Sequence, residues 1–165
     1  MKTAQKIVAR GALAGVLLMM VSVTVLYELL PQVEGNIPAF IYGCMALSVV
    51  PLFIMIATVG NKRFMSGAIN PLAHAENKAM EIDGRVVDNT LQQNFVFVVG
   101  LLALSVQLPF PQMKLLLALS ITFVLARLAF WYGYRKDPLL RAPGMAATSY
   151  LNLFILITVL YAFLR

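Results

Sequence analysis

Five apolar segments alternate with short polar ones along this chain. The first runs from about Ile7 to Leu30, and the second, IPAFIYGCMALSVVPLFIMIATV, from Ile37 to Val59. The third extends from about Glu81 to Leu108, the fourth from Met113 to about Tyr134, and the fifth from Met145 to Leu164. Each is close to the roughly 20 residues that a helix needs to cross a hydrocarbon core about 30 Å thick. The breaks fall where helix chemistry demands them. Pro109 and Pro111 close the third segment, and the basic, proline-containing RKDPLLRAPG separates the fourth from the fifth. Pro51, in the middle of the second, predicts a kink there. The longest loop spans residues 60–84, and from about Ala75 it lacks breakers and is expected to wind already into the third helix.

Composition agrees. The chain is 61% hydrophobic and 12% charged, with mean hydropathy +0.83, whereas a soluble domain is about 45–50% apolar and about 25% charged. The reading is an all-α membrane protein with about five spans and no separate soluble domain. Lys2, Lys6 and Arg10 precede the apolar part of the first segment, as in a signal peptide. That part is longer than the usual stretch of about 7–15 residues, and Tyr27, Glu28 and Pro31 follow it instead of a small-residue cleavage site. It is expected to be a retained helix, with cleavage as the alternative.

The net charge of +6 is distributed between the spans, which favours an orientation signal over nucleic-acid binding. With five spans, one side carries Lys2, Lys6, Arg10, Lys62, Arg63, Lys78, Arg85, Arg135, Lys136 and Arg141, and the other only Lys114 and Arg165. This asymmetry predicts a cytoplasmic N-terminus, long loop and RKDPLLRAPG loop. One cysteine, Cys44, and one histidine, His74, offer no intramolecular disulfide and no structural zinc site. His74 lies in the loop and is read as solvated.

The third segment opens with unusual polarity. Glu81, Arg85, Asn89 and Gln92 fall on one helix face, flanked by Asp88 and Gln93. A charge at mid-bilayer costs roughly 2.5–3.5 kcal/mol on insertion scales, so such a stripe faces a bundle interior, an interface or a watery cavity. Glu81 with Arg85, or Arg85 with Asp88, can pair on the helix surface. The plainer alternative is a helix entrance solvated in the headgroup zone. The stripe covers about 16 Å of helix, which is long for a cap alone.

The fourth segment supplies an opposite wall. Arg127, Trp131 and Tyr134 are spaced i, i+4, i+7, and Arg141 follows in the loop. Trp131, Tyr132 and Tyr134 also suit an interfacial aromatic belt, with Arg135 and Lys136 as anchors. Arg127 lies two turns deeper than Tyr134 and needs a partner, for which the acidic and amide groups of the third segment stand at matching depth. The physical expectation is an intramembrane pocket open to the cytoplasm. Its arginines, amides and phenol suit a small anionic ligand, peptide-like or phosphate-bearing, with an apolar co-substrate arriving from lipid. No acid/base pair, Ser-His-Asp set or glycine-rich phosphate loop is present. Any chemistry would be activation of a bound nucleophile whose anion an arginine or hydroxyl stabilises.

These two stretches together resemble the MAPEG family, the membrane-associated proteins of eicosanoid and glutathione metabolism. The family pattern of Glu, Arg, Asn and then usually Glu reads here as Glu81, Arg85, Asn89, Gln92. Its next helix reads as Arg127, Gly133-Tyr134 and loop Arg141, followed by PGMAAT, which is similar to bacterial members. The resemblance covers about Ile37 to Leu164. It implies a MAPEG-like four-helix bundle over residues 37–165, with residues 1–36 as an additional N-terminal helix and loop. It further implies a homotrimer in a bacterial inner membrane, binding glutathione between protomers near the cytoplasmic face. By position, Arg85, Asn89, Gln92, Arg127 and Tyr134 would hold glutathione and Arg141 would stabilise its thiolate. Glu81 and Asp88 would serve ion pairing. The thiolate would attack a lipophilic electrophile or reduce a lipid hydroperoxide. Gln92 stands where the family usually has Glu, and Phe130 where some members have tyrosine. The alternative is a non-catalytic trimer with a structural, lipid-binding or partner-binding role. A transporter component fits less well, since only Pro51 interrupts a span.

Overall fold

A computed structural model describes residues 3–70, 73 and 75–165; His74 and Lys2 lie outside the described residues. Five long helices follow in order: α1 (Thr3–Leu29), α2 (Ile37–Ser66), α3 (Lys78–Gln107), α4 (Lys114–Lys136) and α5 (Ala142–Leu164). All five spans are long and apolar enough to cross a membrane, and the chain is a multi-pass membrane protein.

The helix ends have local causes. Asn36 caps α2 by accepting from the Ala39 N–H at 3.0 Å, and Asn77 caps α3 by accepting from the Met80 N–H at 3.0 Å, each satisfying a donor the first turn leaves free. Glu81 in the first turn of α3 complements the helix dipole. Asp137 turns extended at the end of α4 because Pro138 cannot continue that helix. Two expected boundaries move. Helix α2 is not interrupted at Pro51 and continues past Val59 to Ser66. Its added turns carry Lys62 and Arg63, which pair with Asp83 and Glu76. Helix α5 starts at Ala142 rather than Met145.

Helices α2 to α5 form the four-helix bundle. Helix α2 packs on α3 and α4, α3 on α4 and α5, and α4 on α5. Phe97 and Phe123 stack at 4.3 Å at its centre, with Leu101, Leu104, Leu116, Leu151 and Ile155 buried around them. Helix α1 lies outside this bundle, against α4 and α5. Lipid is as apolar as leucine, so close backbone approach and interhelical hydrogen bonds hold such contacts. Helix α1 has both. Gly15 sits directly on the backbone of Pro143, with no room for a Cβ, and the Ser22 and Thr122 hydroxyls share a hydrogen bond of 3.0 Å. At the far end, Lys114 lies 4.5 Å from the Tyr27 ring centroid and donates to the Leu30 carbonyl at 3.4 Å.

Gly15→Leu should therefore unseat α1. Thermal unfolding in detergent is expected to show a loss of about 1–3 kcal/mol, the usual cost of overpacking; an unchanged midpoint would contradict this docking.

Candidate functional site

The polar residues of α3 divide among its neighbours. Arg127 is fully buried, at 0% exposure. Its Nη2 donates to Asn89 Oδ1 at 3.0 Å and to Thr90 Oγ1 at 2.8 Å, and its Nη1 donates to Thr148 Oγ1 at 3.2 Å. The guanidinium carbon lies 4.0 Å from the Phe130 ring centroid. The expected partner from the third segment is thus an amide, joined by two hydroxyls. No carboxylate pairs with Arg127 among the described residues. Hydrogen bonds to a charged group contribute about 1.5–3 kcal/mol each and a face-on aromatic adds to this; together they offset the desolvation of a mid-span cation. Below this level Asn152 of α5 donates to the Gln93 side chain at 2.9 Å, and Asn94 donates to the Ser48 carbonyl of α2 at 2.9 Å.

Asn89 and Phe130, the groups against Arg127, are also the back wall of a cleft of about 230 Å³. Arg85, Tyr134, Arg141 and Met145 complete it. Its geometry follows from the α4–α5 connection. Asp137 accepts from the Leu139 N–H at 2.7 Å and starts a 3₁₀ turn, Pro138–Arg141. Gly133 has no Cβ to block the Leu140 carbonyl, so this turn folds back onto α4. Arg141 is thereby laid 4.8 Å from the Tyr134 ring centroid, and Tyr134 meets Phe130 edge-on at 5.6 Å. The lining brings two guanidiniums, an amide and a phenol together, with no carboxylate.

Four of the residues singled out from sequence, Arg85, Asn89, Tyr134 and Arg141, therefore meet in one cleft. Arg127 stands behind it. Gln92 is exposed on the outer face of α3 with Glu81, Arg85 and Asp88, and it does not line the cleft. Glu81 and Asp88 make no ion pair among the described residues.

Asp83 is the polar residue that sequence reasoning missed. It is 2% exposed and draws three elements together. Lys62 of α2 donates to Oδ2 at 2.5 Å. Arg135 of α4 donates to Oδ1 at 2.7 Å and Oδ2 at 2.8 Å, and Trp131 Nε1 donates to Oδ1 at 2.9 Å. Arg135 also lies 4.3 Å from the Trp131 ring centroid. Trp131 and Arg135 thus clamp the bundle rather than only marking an interface. The signal was a second register: Asp83, Val86, Thr90, Asn94 and Phe97 are among the buried positions of α3, offset from the stripe that begins at Glu81.

A family model for the MAPEG family matches residues 41–161. The chain belongs to the MAPEG family. The MAPEG match contains every residue of the cleft, the Arg127 contacts and the Asp83 clamp, and it leaves α1 outside. Neither the curated proteins nor the solved structures contain a match.

Asp83→Asn keeps the shape of the clamp but removes the charge that Lys62 and Arg135 share. Both cations are over a third exposed and can be rehydrated, so the loss should be about 1–3 kcal/mol. Chemical denaturation, in a double-mutant cycle with Arg135→Gln, should show clear coupling; additive losses would mean that the pair contributes nothing.

Proposed function

We propose that this MAPEG protein binds glutathione in the Arg85–Asn89–Tyr134–Arg141 cleft and transfers its thiolate to lipophilic substrates. The observation that carries the reading is that convergence: the matched residues meet on one cleft whose lining is cationic and donor-rich. Glutathione carries two carboxylates and a thiol. Arg85 suits a carboxylate, since a guanidinium offers paired donors in a fork. Arg141 is held on Tyr134, where a cation lowers the cost of forming the thiolate. Asn89 cannot turn freely, because Arg127 occupies its carbonyl oxygen; its amide N–H groups remain for the ligand.

The chemistry then balances without a protein acid or base. The thiol loses its proton to water as the thiolate forms. Its sulfur bonds to an electrophilic carbon, the departing or ring oxygen keeps the electron pair, and water returns a proton to that oxygen. With a lipid hydroperoxide, sulfur attacks the terminal oxygen, the O–O bond breaks, and the alcohol leaves with a proton. The resulting sulfenic acid condenses with a second glutathione to disulfide and water.

The assembly reading rests on α3. Arg85, Asp88 and Gln92 are exposed on a membrane-spanning helix, where lipid solvates charge poorly. A second copy of the chain would cover them, and a covering Asp88 could meet the glutathione ammonium that the cleft's own lining leaves unmatched. The homotrimer, the lipophilic co-substrate and the cytoplasmic placement of the cleft in a bacterial inner membrane come from the family resemblance and the positive-inside pattern. One observation favours a second reading. With Gln92 outside the cleft and no carboxylate in it, the same arginines suit an anionic lipid headgroup held without chemistry.

Titration of the detergent-purified protein with millimolar glutathione separates the two. The first reading predicts ultraviolet thiolate absorbance and a raised unfolding temperature. Arg141→Ala should abolish the absorbance while sparing most of the binding, and Arg85→Ala should weaken binding about tenfold, or about 1.4 kcal/mol. No shift with the wild-type chain would sink the transferase reading.

A further inference from the structure

Arg141 rides on a stretch of backbone gripped from two sides. On the inner side, Gly133 of α4 admits the Leu140 carbonyl, and Gly144 of α5 lies directly on the α4 backbone at Ala126 and Phe130. On the outer side stands α1. Its Gly15 meets the Pro143 backbone as closely, and a Cβ at Gly11 would lie 3.2 Å from both the Ala142 Cβ and the Pro143 Cδ. Val8 and Ala12, on the same helix, border one space with Pro138, Leu139 and Arg141. Main chain cannot swing aside as a flexible side chain can, so close packing on both sides leaves the residues next to Arg141 little play.

We propose that α1 is a positioning helix for Arg141. By bearing on Ala142 and Pro143 it holds the guanidinium over the Tyr134 ring, and so sets how strongly the cleft favours a thiolate. Gly15 is the positioning residue, since its missing side chain lets α1 reach the Pro143 backbone. This deepens the thiol-transfer reading of the cleft and rests on it.

Arg141 needs such support. It makes no ion pair among the described residues, and its guanidinium carbon lies 4.8 Å from the Tyr134 ring centroid. A cation over a ring is a weak contact at an exposed position, so the backbone decides where the charge stands. Its place matters, because attraction between charges falls with distance and a shift of about 1 Å in a positioned group can cost about a hundredfold in rate. Pro143 passes the contact on well: its ring fixes φ, so a push there moves the neighbouring residues instead of turning the proline. The inner grip lies within the residues that match the family, whereas α1 lies outside them. The outer grip is thus a feature that this chain adds to the matched bundle.

The test compares Gly15→Ala, Gly11→Ala and Gly43→Ala in the detergent-purified full chain. Gly43 lies in α2, where a Cβ would meet nothing within 4 Å, so it controls for the added methyl group. Hydrogen–deuterium exchange of the segment 138–145, without ligand, should be about tenfold faster in Gly15→Ala and unchanged in Gly43→Ala. The pH midpoint of thiolate absorbance from bound glutathione should rise by about one unit in Gly15→Ala, as the cation moves away from the sulfur. Glutathione affinity below that midpoint should stay within about twofold, since Arg85 holds a carboxylate elsewhere on the ligand. Gly11→Ala asks its neighbours to give by only a few tenths of an ångström; it should move both readings the same way by less, and it stands in if Gly15→Ala does not fold. Faster exchange with an unmoved midpoint would make α1 a structural helix only and overturn the proposal, as would unchanged exchange in both α1 variants. A wild-type chain with no thiolate absorbance removes the thiol-transfer reading itself, and the proposal with it, whatever the exchange rates, so the two failures are told apart.

Discussion

A guanidinium that cannot reach water must be solvated by protein, and Arg127 imposes that demand on the middle of the bundle. Its donors reach Asn89 and Thr90 of α3 and Thr148 of α5, so three of the four bundle helices are held at one level. The polarity of α3 follows from this need. A helix of leucines would pack against lipid as readily as against α4; one carrying Asn89 and Thr90 has a single orientation in which both accept from the arginine Nη2. Because Asn89 and Phe130 touch Arg127 on one side and the cleft on the other, the demand that fixes the fold also fixes the site.

The Asp83 clamp repeats the principle at the end of the bundle. One buried carboxylate receives donors from Lys62, Arg135 and Trp131, tying α2 and α4 to α3. On the side of Arg127 away from the clamp the packing is apolar, with Phe97 on Phe123. Helix α1 is attached by other means, a glycine contact, a hydroxyl pair and Lys114 over the Tyr27 ring, as suits a helix outside the demand made by Arg127.

Much of this was legible in the residues. Hydropathy located all five helices, because a span must be apolar for its full length. The depth of Arg127 announced that it needed a partner, and the spacing of Arg127, Tyr134 and Arg141 marked the opposite wall. What stayed hidden was which polar residue turned which way. Glu81, Arg85, Asn89 and Gln92 share a register, but only Arg85 and Asn89 reach the cleft, since its walls depend on the fold of the Pro138–Arg141 turn back onto Gly133. The partners of Asp83 were hidden for a related reason. They lie 21 and 52 residues away, and periodicity on one helix cannot reveal partners on two others. The extension of α2 past Val59 was missed because Gly60 and Asn61 read as loop, whereas the pairs made by Lys62 and Arg63 favour continued helix.

In the proposed function, a buried Arg127 organises a cleft in which Arg85 and Arg141 hold one anionic thiol ligand. An experimental density map of the purified full chain with glutathione tests it most directly. Ligand density is expected against Arg85, Asn89, Tyr134 and Arg141, with the Arg127 guanidinium behind it on the Asn89 carbonyl oxygen. Glutathione bound elsewhere, or Arg127 turned outward with Asn89 released, would contradict it.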